Sequence, residues 1–305
     1  MSEKTKFAVV GGDLRQAYLA DMLAGEGYSV CAAGFGRCAD AAAEAPVKAE
    51  KVRGVTGAVK NAGCIILPLP FSLDGVNVNA PFSEIPIPLS EVFSAAGKGA
   101  LVTGGRFTPE ALRAAAAHGA QAADYYAREE LAVLNAVPTA EGAVQIAMEE
   151  LPVTINGSRC LVTGFGRVGK ALCRDLSALG ADVVCCARRC SDLAWIKSCG
   201  WSPVPFGWLP SAASHADAVF NTVPAQVFTG EVLGNLKKGC LLIDLASKPG
   251  GVDLAAAGRL GVKAFRALSL PGRVAPMTAG GIIKDTVLNI LREKDCAAGE
   301  GRCGE

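Results

Sequence analysis

Gly164-Phe165-Gly166-Arg167-Val168-Gly169 has the spacing GxGxxG, and Arg188 and Arg189 follow roughly 20 residues on. The glycines follow an apolar run, Cys160-Leu161-Val162, and open a helical stripe of Val168, Leu172 and Leu176. In that setting Gly164 permits a tight turn, Gly166 lets backbone approach a pyrophosphate, and Gly169 lets helix and strand pack closely. The helix N-terminus supplies N–H groups and a positive dipole end for phosphates. The second strand of such a unit usually ends in an acid that bonds a ribose 2′-hydroxyl. Here it ends in arginines, which bind a 2′-phosphate through paired hydrogen bonds. The pattern points to NADP rather than NAD, with Ser191 adding a hydroxyl.

Further polar residues gather where strands are expected to end. Asn221-Thr222-Val223-Pro224 follows one strand and is expected at the cofactor, with Val223-Pro224 along the nicotinamide and its ribose. Ile243–Gly251 follows the next, with Asp244 and Ser247 expected at the cofactor and Lys248 as an ionisable group near the chemistry. Ser269–Gly280 carries Arg273, suited to hold a carboxylate. Pro138-Thr139-Ala140-Glu141 has the form of a helix start, with Thr139 as cap and the acid in the first turn. Near the N-terminus, Gly11-Gly12-Asp13-Leu14-Arg15-Gln16 repeats the turn without its third glycine. Asp13 stands where a phosphate would lie and would repel it. That half is therefore expected to be Rossmann-like without binding a dinucleotide, with Asp13, Arg15 and Gln16 facing a substrate or Asp13 capping the helix.

The elements that must position these residues alternate strand and helix. Strands are expected at Lys6–Val10, Tyr28–Ala33, Gly63–Leu67, Gly99–Thr103 and Gln121–Asp124, with helices at Leu14–Gly25 and Pro109–His118. Pro68–Pro88 reads as a long loop over the sheet end. Ala127–Leu151 reads as two helices broken around Pro138. A second series follows: Arg159–Thr163, a helix from Val168 to Leu179, then Asp182–Ala187, Ala216–Thr222, Cys240–Leu245 and Val262–Ala267. Pro276–Arg292 is the last helix. The fold class is α/β: two Rossmann-like, doubly wound parallel-sheet domains with a cleft between them. Residues 1–150 form the N-terminal substrate domain with its linking helices. Residues 151–293 form the NADP-binding domain, its last helix packing back toward the first, and 294–305 a mobile tail.

Composition excludes several classes. The 305 residues carry a formal net charge of +1 and no long basic run, against a general nucleic-acid binder. The apolar run Phe7–Val10 is too short for a secretion leader, and no apolar stretch approaches a membrane span, so a soluble cytoplasmic protein is expected. The twelve cysteines include no CxxC, and buried, reduced thiols are expected with no metal site. With two histidines, His118 and His215, and no imidazole late in the chain, a His–carboxylate hydroxyacid dehydrogenase is excluded.

Several stretches together resemble the dipicolinate synthase A-subunit family: VVGGDLRQAYLA, ILPLPFSLDGVNVNAPF, REELAVLNAVPTAEGAVQIAMEELP, VTGFGRVGKAL, FNTVPA, IDLASKPGG and LPGRVAPMTAGGIIKDTVLNIL. The resemblance runs from about Phe7 to Leu291. It implies an NADP-linked dehydrogenase of spore-forming bacteria that oxidises a dihydrodipicolinate, or its hydrated tetrahydro precursor, to pyridine-2,6-dicarboxylate. It also implies a flavoprotein-like second subunit, and a homo-oligomer is expected. Two substrate carboxylates need cations, and Arg15, Arg106, Lys248 and Arg273 are candidates, with Gln16 and Thr139 beside them. Asp13, Glu141 or an uncharged Lys248 would take the released proton. Other two-domain NADP dehydrogenases, shikimate- or methylene-tetrahydrofolate-like, and a non-catalytic NADP sensor are the alternative readings.

Replacing Arg188 and Arg189 with Ala is expected to raise KM for NADP at least tenfold while changing KM for NAD little. Steady-state kinetics with both cofactors checks this, and equal effects on both would refute the 2′-phosphate assignment.

Overall fold

The computed structural model describes residues 5–38, 49–52 and 54–300, which divide into two compact units, Met1–Leu134 with Ala275–Glu305, and Asn135–Val274. The first unit holds β1 (Phe7–Val10), β2 (Val30–Ala33), β3 (Glu50–Lys51), β4 (Cys64–Ile66), β5 (Leu101–Gly104) and β6 (Gln121–Asp124). Between them run α1 (Leu14–Gly25), α2 (Val55–Val59), α3 (Leu89–Ala95) and α4 (Pro109–Ala117), followed by α5 (Glu129–Glu150). The second unit holds β7 (Arg159–Thr163), β8 (Asp182–Ala187), β9 (Ser202–Pro205), β10 (Ala218–Asn221), β11 (Leu241–Asp244) and β12 (Lys263–Arg266). Its further helices are α6 (Arg167–Ala178), α7 (Cys190–Ser198), α8 (Leu209–Ala213), α9 (Gly230–Gly234), α10 (Leu254–Arg259) and α11 (Leu270–Val274); α12 (Pro276–Glu300) returns to the first unit.

Every strand pair is parallel. The strand orders are β3-β2-β1-β4-β5-β6 and β12-β11-β10-β7-β8-β9. Each is the doubly wound dinucleotide-fold order, with its direction reversing beside β1 in one sheet and β7 in the other. The composition of the strands follows from this. A parallel sheet is covered on both faces, so its strands read as continuous apolar runs. All four residues of Phe-Ala-Val-Val in β1 are buried, and alternate residues feed opposite cores: Phe7 and Val9 meet Leu19, Leu23 and Val287, whereas Ala8 and Val10 meet Val59, Val92 and Val102. In the second unit, Val162 and Cys185 face one core while Leu161 and Cys186 face the other.

The thiols behave as small apolar side chains. Of the eleven described cysteines, none in a disulfide, eight are buried, and burial pushes Cys64, Cys186 and Cys240 up to about 12. No cluster of metal ligands occurs among the described residues.

Several expectations are corrected. Ala127–Leu151 is one helix after a single 3₁₀ turn at Tyr125–Ala127, and Pro138 lies inside it. Thr139 is therefore an interior residue whose hydroxyl donates to Asn135 O at 2.7 Å, not an N-cap. Pro138 removes the N–H that Leu134 O would accept, and the boundary between the units falls at that turn. Burial keeps the helix intact on both sides of it, through Leu131 in one core and Ala136, Ala140, Ala143 and Ala147 in the other. The linking segment is thus shared between the units instead of belonging to the first. By length and composition α5 also qualifies as a membrane span, against the expectation that no stretch approaches one, yet 44% of that window is buried inside the protein. Lastly, α12 continues through Lys294 to Glu300 where a mobile tail was expected, anchored by Arg128 to Glu293 at 2.6 Å and by Lys294 to Gln121. Residues 301–305 lie outside the described residues.

Helix α12 lies against α1 at very short range. A Cβ on Gly280 would stand 2.4 Å from Arg15 O, and Lys284 pairs with Glu26 beside this contact. A Cβ on Gly281 would meet only the Met22 sulfur and methyl at 3.7 and 3.8 Å. Gly280→Ala is expected to destabilise the protein by about 1–3 kcal/mol. Gly281→Ala should be neutral or stabilising by up to about 1 kcal/mol, and paired urea melts compare the two.

Candidate functional site

The turn after β7 is built as its glycine spacing requires. Gly164 has φ +93°, and its N–H donates to Cys186 O at 2.9 Å, tying the turn to the neighbouring strand. A Cβ on Gly169 would lie 2.0 Å from Gly164 O, so α6 can approach the turn this closely only with glycine there. A Cβ on Gly166, the N-cap of α6, would meet nothing within 4 Å. That open space lies over the first turn of α6, where helical N–H groups have no intrahelical acceptor. The residues present therefore fit a dinucleotide pyrophosphate. Phe165 turns its ring onto Trp201 at 6.2 Å, leaving backbone at the turn's face.

Arg188 and Arg189 follow β8, directly beside this turn in the sheet. Both are exposed, and neither side chain has a hydrogen-bond or ion-pair partner among the described residues. Ser191 is exposed in the first turn of α7. Two unpaired guanidiniums at the strand next to an open glycine turn suit a phosphate beyond the pyrophosphate.

A buried polar row joins the strand ends. Register sets Thr163 beside Asn221, and Asn221 beside Asp244. Thr163 Oγ1 donates to Asn221 Oδ1 at 2.6 Å, and Asn221 Nδ2 donates to Asp244 Oδ1 at 2.8 Å. Asn221 also holds its own loop, donating to Val223 O at 3.1 Å and accepting from Val223 N at 3.2 Å. Asp244 accepts from Ala246 N at 3.2 Å and Gly251 N at 3.1 Å. Asn221 and Asp244 are 0% and 1% exposed, and their polar atoms are engaged in this row and in holding the two loops that follow. Thr222 and Val223 are half-buried, and Pro224, Ser247 and Lys248 are exposed on the loops so held. Arg273 is exposed on α11.

In the first unit the corresponding turn is closed. Gln16 takes the place of the third glycine and folds back over Gly12, where a Cβ would stand 2.5 Å from Gln16 Oε1. Its carboxamide is fully buried with neither polar atom hydrogen-bonded in the structure. Asp13 caps α1, accepting from Arg15 N at 3.0 Å, and also pairs with the Arg15 guanidinium at 2.8 Å. Arg15 is 8% exposed and donates to Leu69 O at 2.6 Å. Burial pulls its guanidinium down, the Asp13 hydrogen bond and charge more than offset this, and the net shift is upward. Asp13 and Arg15 are thus brought together, but largely for each other.

Arg106, at the end of β5, adopts φ +64° with its N–H donating to Asp124 Oδ1 at 3.1 Å. Its exposed guanidinium lies 4.7 Å from the Tyr126 ring centroid. The loop Pro68–Pro88 is internally braced: Asn77 and Val76 N–H groups donating to Asp74 hold its carboxyl far below the usual carboxylate range. Glu141 lines a groove of about 620 Å³ between α5 and α6, with Val144, Gln145, Met148 and Asp175. Sequence reasoning missed the Thr163–Asn221–Asp244 row and the Tyr126 ring under Arg106, because both pairings join residues far apart in the chain.

Residues 6–126 match the family model for the N-terminal domain of the dipicolinate synthase A-subunit. The dipicolinate synthase A-subunit of Bacillus subtilis (strain 168) is 30% identical over 97% of this chain and 98% of its own length. The chain belongs to the dipicolinate synthase A-subunit family. The crystal structure of that subunit from Bacillus halodurans superposes with a TM-score of 0.84 at 30% identity, covering 94% of this chain and 97% of that one. A transhydrogenase from Sinorhizobium meliloti shares the fold, with a TM-score of 0.69 at 19% identity over 94% of each chain. Both parallel-sheet units are therefore the architecture of this family, as the sequence pattern had indicated.

Gly169→Ala is expected to lose at least about 2 kcal/mol of stability, whereas Gly166→Ala should melt within about 1 kcal/mol of the parent. Thermal unfolding of the two variants side by side tests the division between packing glycine and ligand-facing glycine.

Proposed function

We propose that this chain is an NADP-dependent oxidoreductase that forms pyridine-2,6-dicarboxylate from a dihydrodipicolinate or its hydrated tetrahydro precursor. The observation that carries the cofactor assignment is the pair of unpartnered guanidiniums, Arg188 and Arg189, beside the open Gly166 turn. Family membership supports the substrate class.

Gly164–Gly169 and the first turn of α6 hold the pyrophosphate; Arg188, Arg189 and Ser191 hold the 2′-phosphate. Thr222, Val223, Pro224 and Ser247 lie on the loops that flank the nicotinamide end. Bound NADP supplies the hydride acceptor. The protein's own task is to orient two carboxylates and accept one proton. Exposed cations suited to the carboxylates are Arg106, Lys248 and Arg273, while Arg15 contributes through its ion pair with Asp13. Among the proton acceptors, Glu141 and Lys248 are exposed, whereas Asp13 is already hydrogen-bonded to Arg15. Aromatisation supplies much of the driving force, so a weak base suffices.

The Bacillus subtilis relative is one subunit of its synthase, which supports a second subunit for this chain too; the same proposal takes that partner to be flavoprotein-like. Assembly of this chain into a homo-oligomer belongs to the same proposal. Its eleven described cysteines, none in a disulfide, support a reducing, cytoplasmic setting.

The test supplies aspartate semialdehyde and pyruvate with the lysine-pathway synthase, adds purified chain with NADP or NAD, and follows ultraviolet absorbance of dipicolinate and reduced cofactor together. Both signals are expected to grow with NADP and at least tenfold more slowly with NAD. Silence with either cofactor, persisting when the second subunit is added, would refute the dehydrogenase and favour a sensor.

A further inference from the structure

All three tryptophans of the chain, Trp195, Trp201 and Trp208, fall within one stretch of the second unit. Trp201 packs on Phe165, but Trp195 and Trp208 are 64% and 67% exposed. An exposed indole offers a rigid aromatic face on which a planar ligand can stack. Their positions differ in one decisive respect. Helix α7 starts just after the arginines at the C-terminal edge of the sheet and returns toward the opposite edge, carrying Trp195 away with it. Trp208 stays at the C-terminal edge. Register pairs Ala187 with Pro205, so Arg188 and Phe206 are the next residues along adjacent parallel strands. A 3₁₀ turn, Phe206–Trp208, then ends the strand.

Adjacent strands lie about 4.8 Å apart and a 3₁₀ turn rises about 2 Å per residue, so the Trp208 backbone is roughly 10 Å or less from that of Arg188. Long side chains span that interval. The Phe206 ring packs into the core beneath and fixes the turn, while the indole remains outside. An exposed aromatic residue and two unpartnered cations thus follow adjacent strand ends, within side-chain reach of one another. The chemistry complementary to that pair is an aromatic base carried by a phosphorylated sugar.

We propose that Trp208 is the base-stacking wall of the cofactor site, holding the adenine whose 2′-phosphate Arg188 and Arg189 bind. This rests on the NADP assignment above and adds a residue that the glycine pattern and the arginines do not include. Trp208 acts by stacking, so any aromatic ring should serve in part, and its contribution should be present for an adenosine fragment lacking nicotinamide.

The probe is adenosine 2′,5′-bisphosphate, titrated into the full chain by calorimetry and by tryptophan fluorescence. Trp208→Ala is expected to weaken binding about tenfold and to abolish most of the fluorescence change, and Trp208→Phe to recover most of the affinity. Trp195→Ala should bind as the parent does. Arg188→Ala with Arg189→Ala should weaken the bisphosphate strongly but 5′-AMP little. Parental affinity in Trp208→Ala, with the arginine variant still impaired, would overturn the stacking role and leave the NADP assignment standing. Equal loss in the Ala and Phe variants would also overturn it. No binding of the bisphosphate to the parent chain would overturn both.

Discussion

The hydrogen-bonded row Thr163–Asn221–Asp244 is the constraint on which the second unit's ligand edge depends. A parallel sheet covered on both faces leaves almost no place for polar side chains except at its strand ends. Here three adjacent strands end in polar residues at the same register level, fully out of water. Each group in the row satisfies its neighbour, and the surplus acceptors of Asp244 are taken by Ala246 and Gly251 N–H groups. Removing one member would strand buried partners at about 1–3 kcal/mol each, more for the carboxylate. The row therefore fixes strand order, register and both following loops together. Loops that carry exposed residues such as Lys248 and Pro224 inherit their placement from it.

The two units show what the same topology does with different residues at one turn. In the second, glycine at position 169 lets the helix close onto the turn, and the bare backbone at Gly166 leaves room above it. In the first, Gln16 stands at the equivalent place and fills the space over Gly12. The same βαβ arrangement is thereby converted from an open cradle to a packed corner. The long loop after β4 closes around it, with Gly12 N–H donating to Asn79 O at 2.9 Å and Arg15 reaching Leu69 O.

Much of this was legible in the sequence because its causes are local. Apolar runs such as Phe7–Val10 and Leu241–Ile243 mark strands wherever they occur, and the three glycines carry their geometry with them. What escaped was decided by distant neighbours. Pro138 locally argues for a break, but alanines packed into the core on the following turns override it. Ser202–Pro205 contains two prolines and is not among the expected strands, yet it forms an edge strand, where a missing N–H is tolerated. Asn221 and Asp244 look like ligand-facing polar groups in sequence. Only the pairing of β7, β10 and β11 shows that they face each other.

Electrostatics separates the two turns as firmly as packing does. At the first, the charge of Arg15 is neutralised within hydrogen-bond range by Asp13, whose carboxylate also engages the first turn of α1. An incoming pyrophosphate there would meet a carboxylate and no free cation. At the second, no acid precedes the helix; Gly166 is its N-cap and α6 has no acidic residue in its first turn. The dipole of α6 and the charges of Arg188 and Arg189 add at one edge of the sheet, and nothing among their described neighbours pairs with the guanidiniums. Positive charge without a protein counter-ion favours an incoming anion, an attraction that water and salt only partly screen. In the NADP complex proposed above, a dianionic 2′-phosphate would gain from that charge, whereas a ribose hydroxyl would not. On the proposed NADP assignment, discrimination against NAD rests on this uncompensated charge together with the hydrogen bonds that the guanidiniums donate.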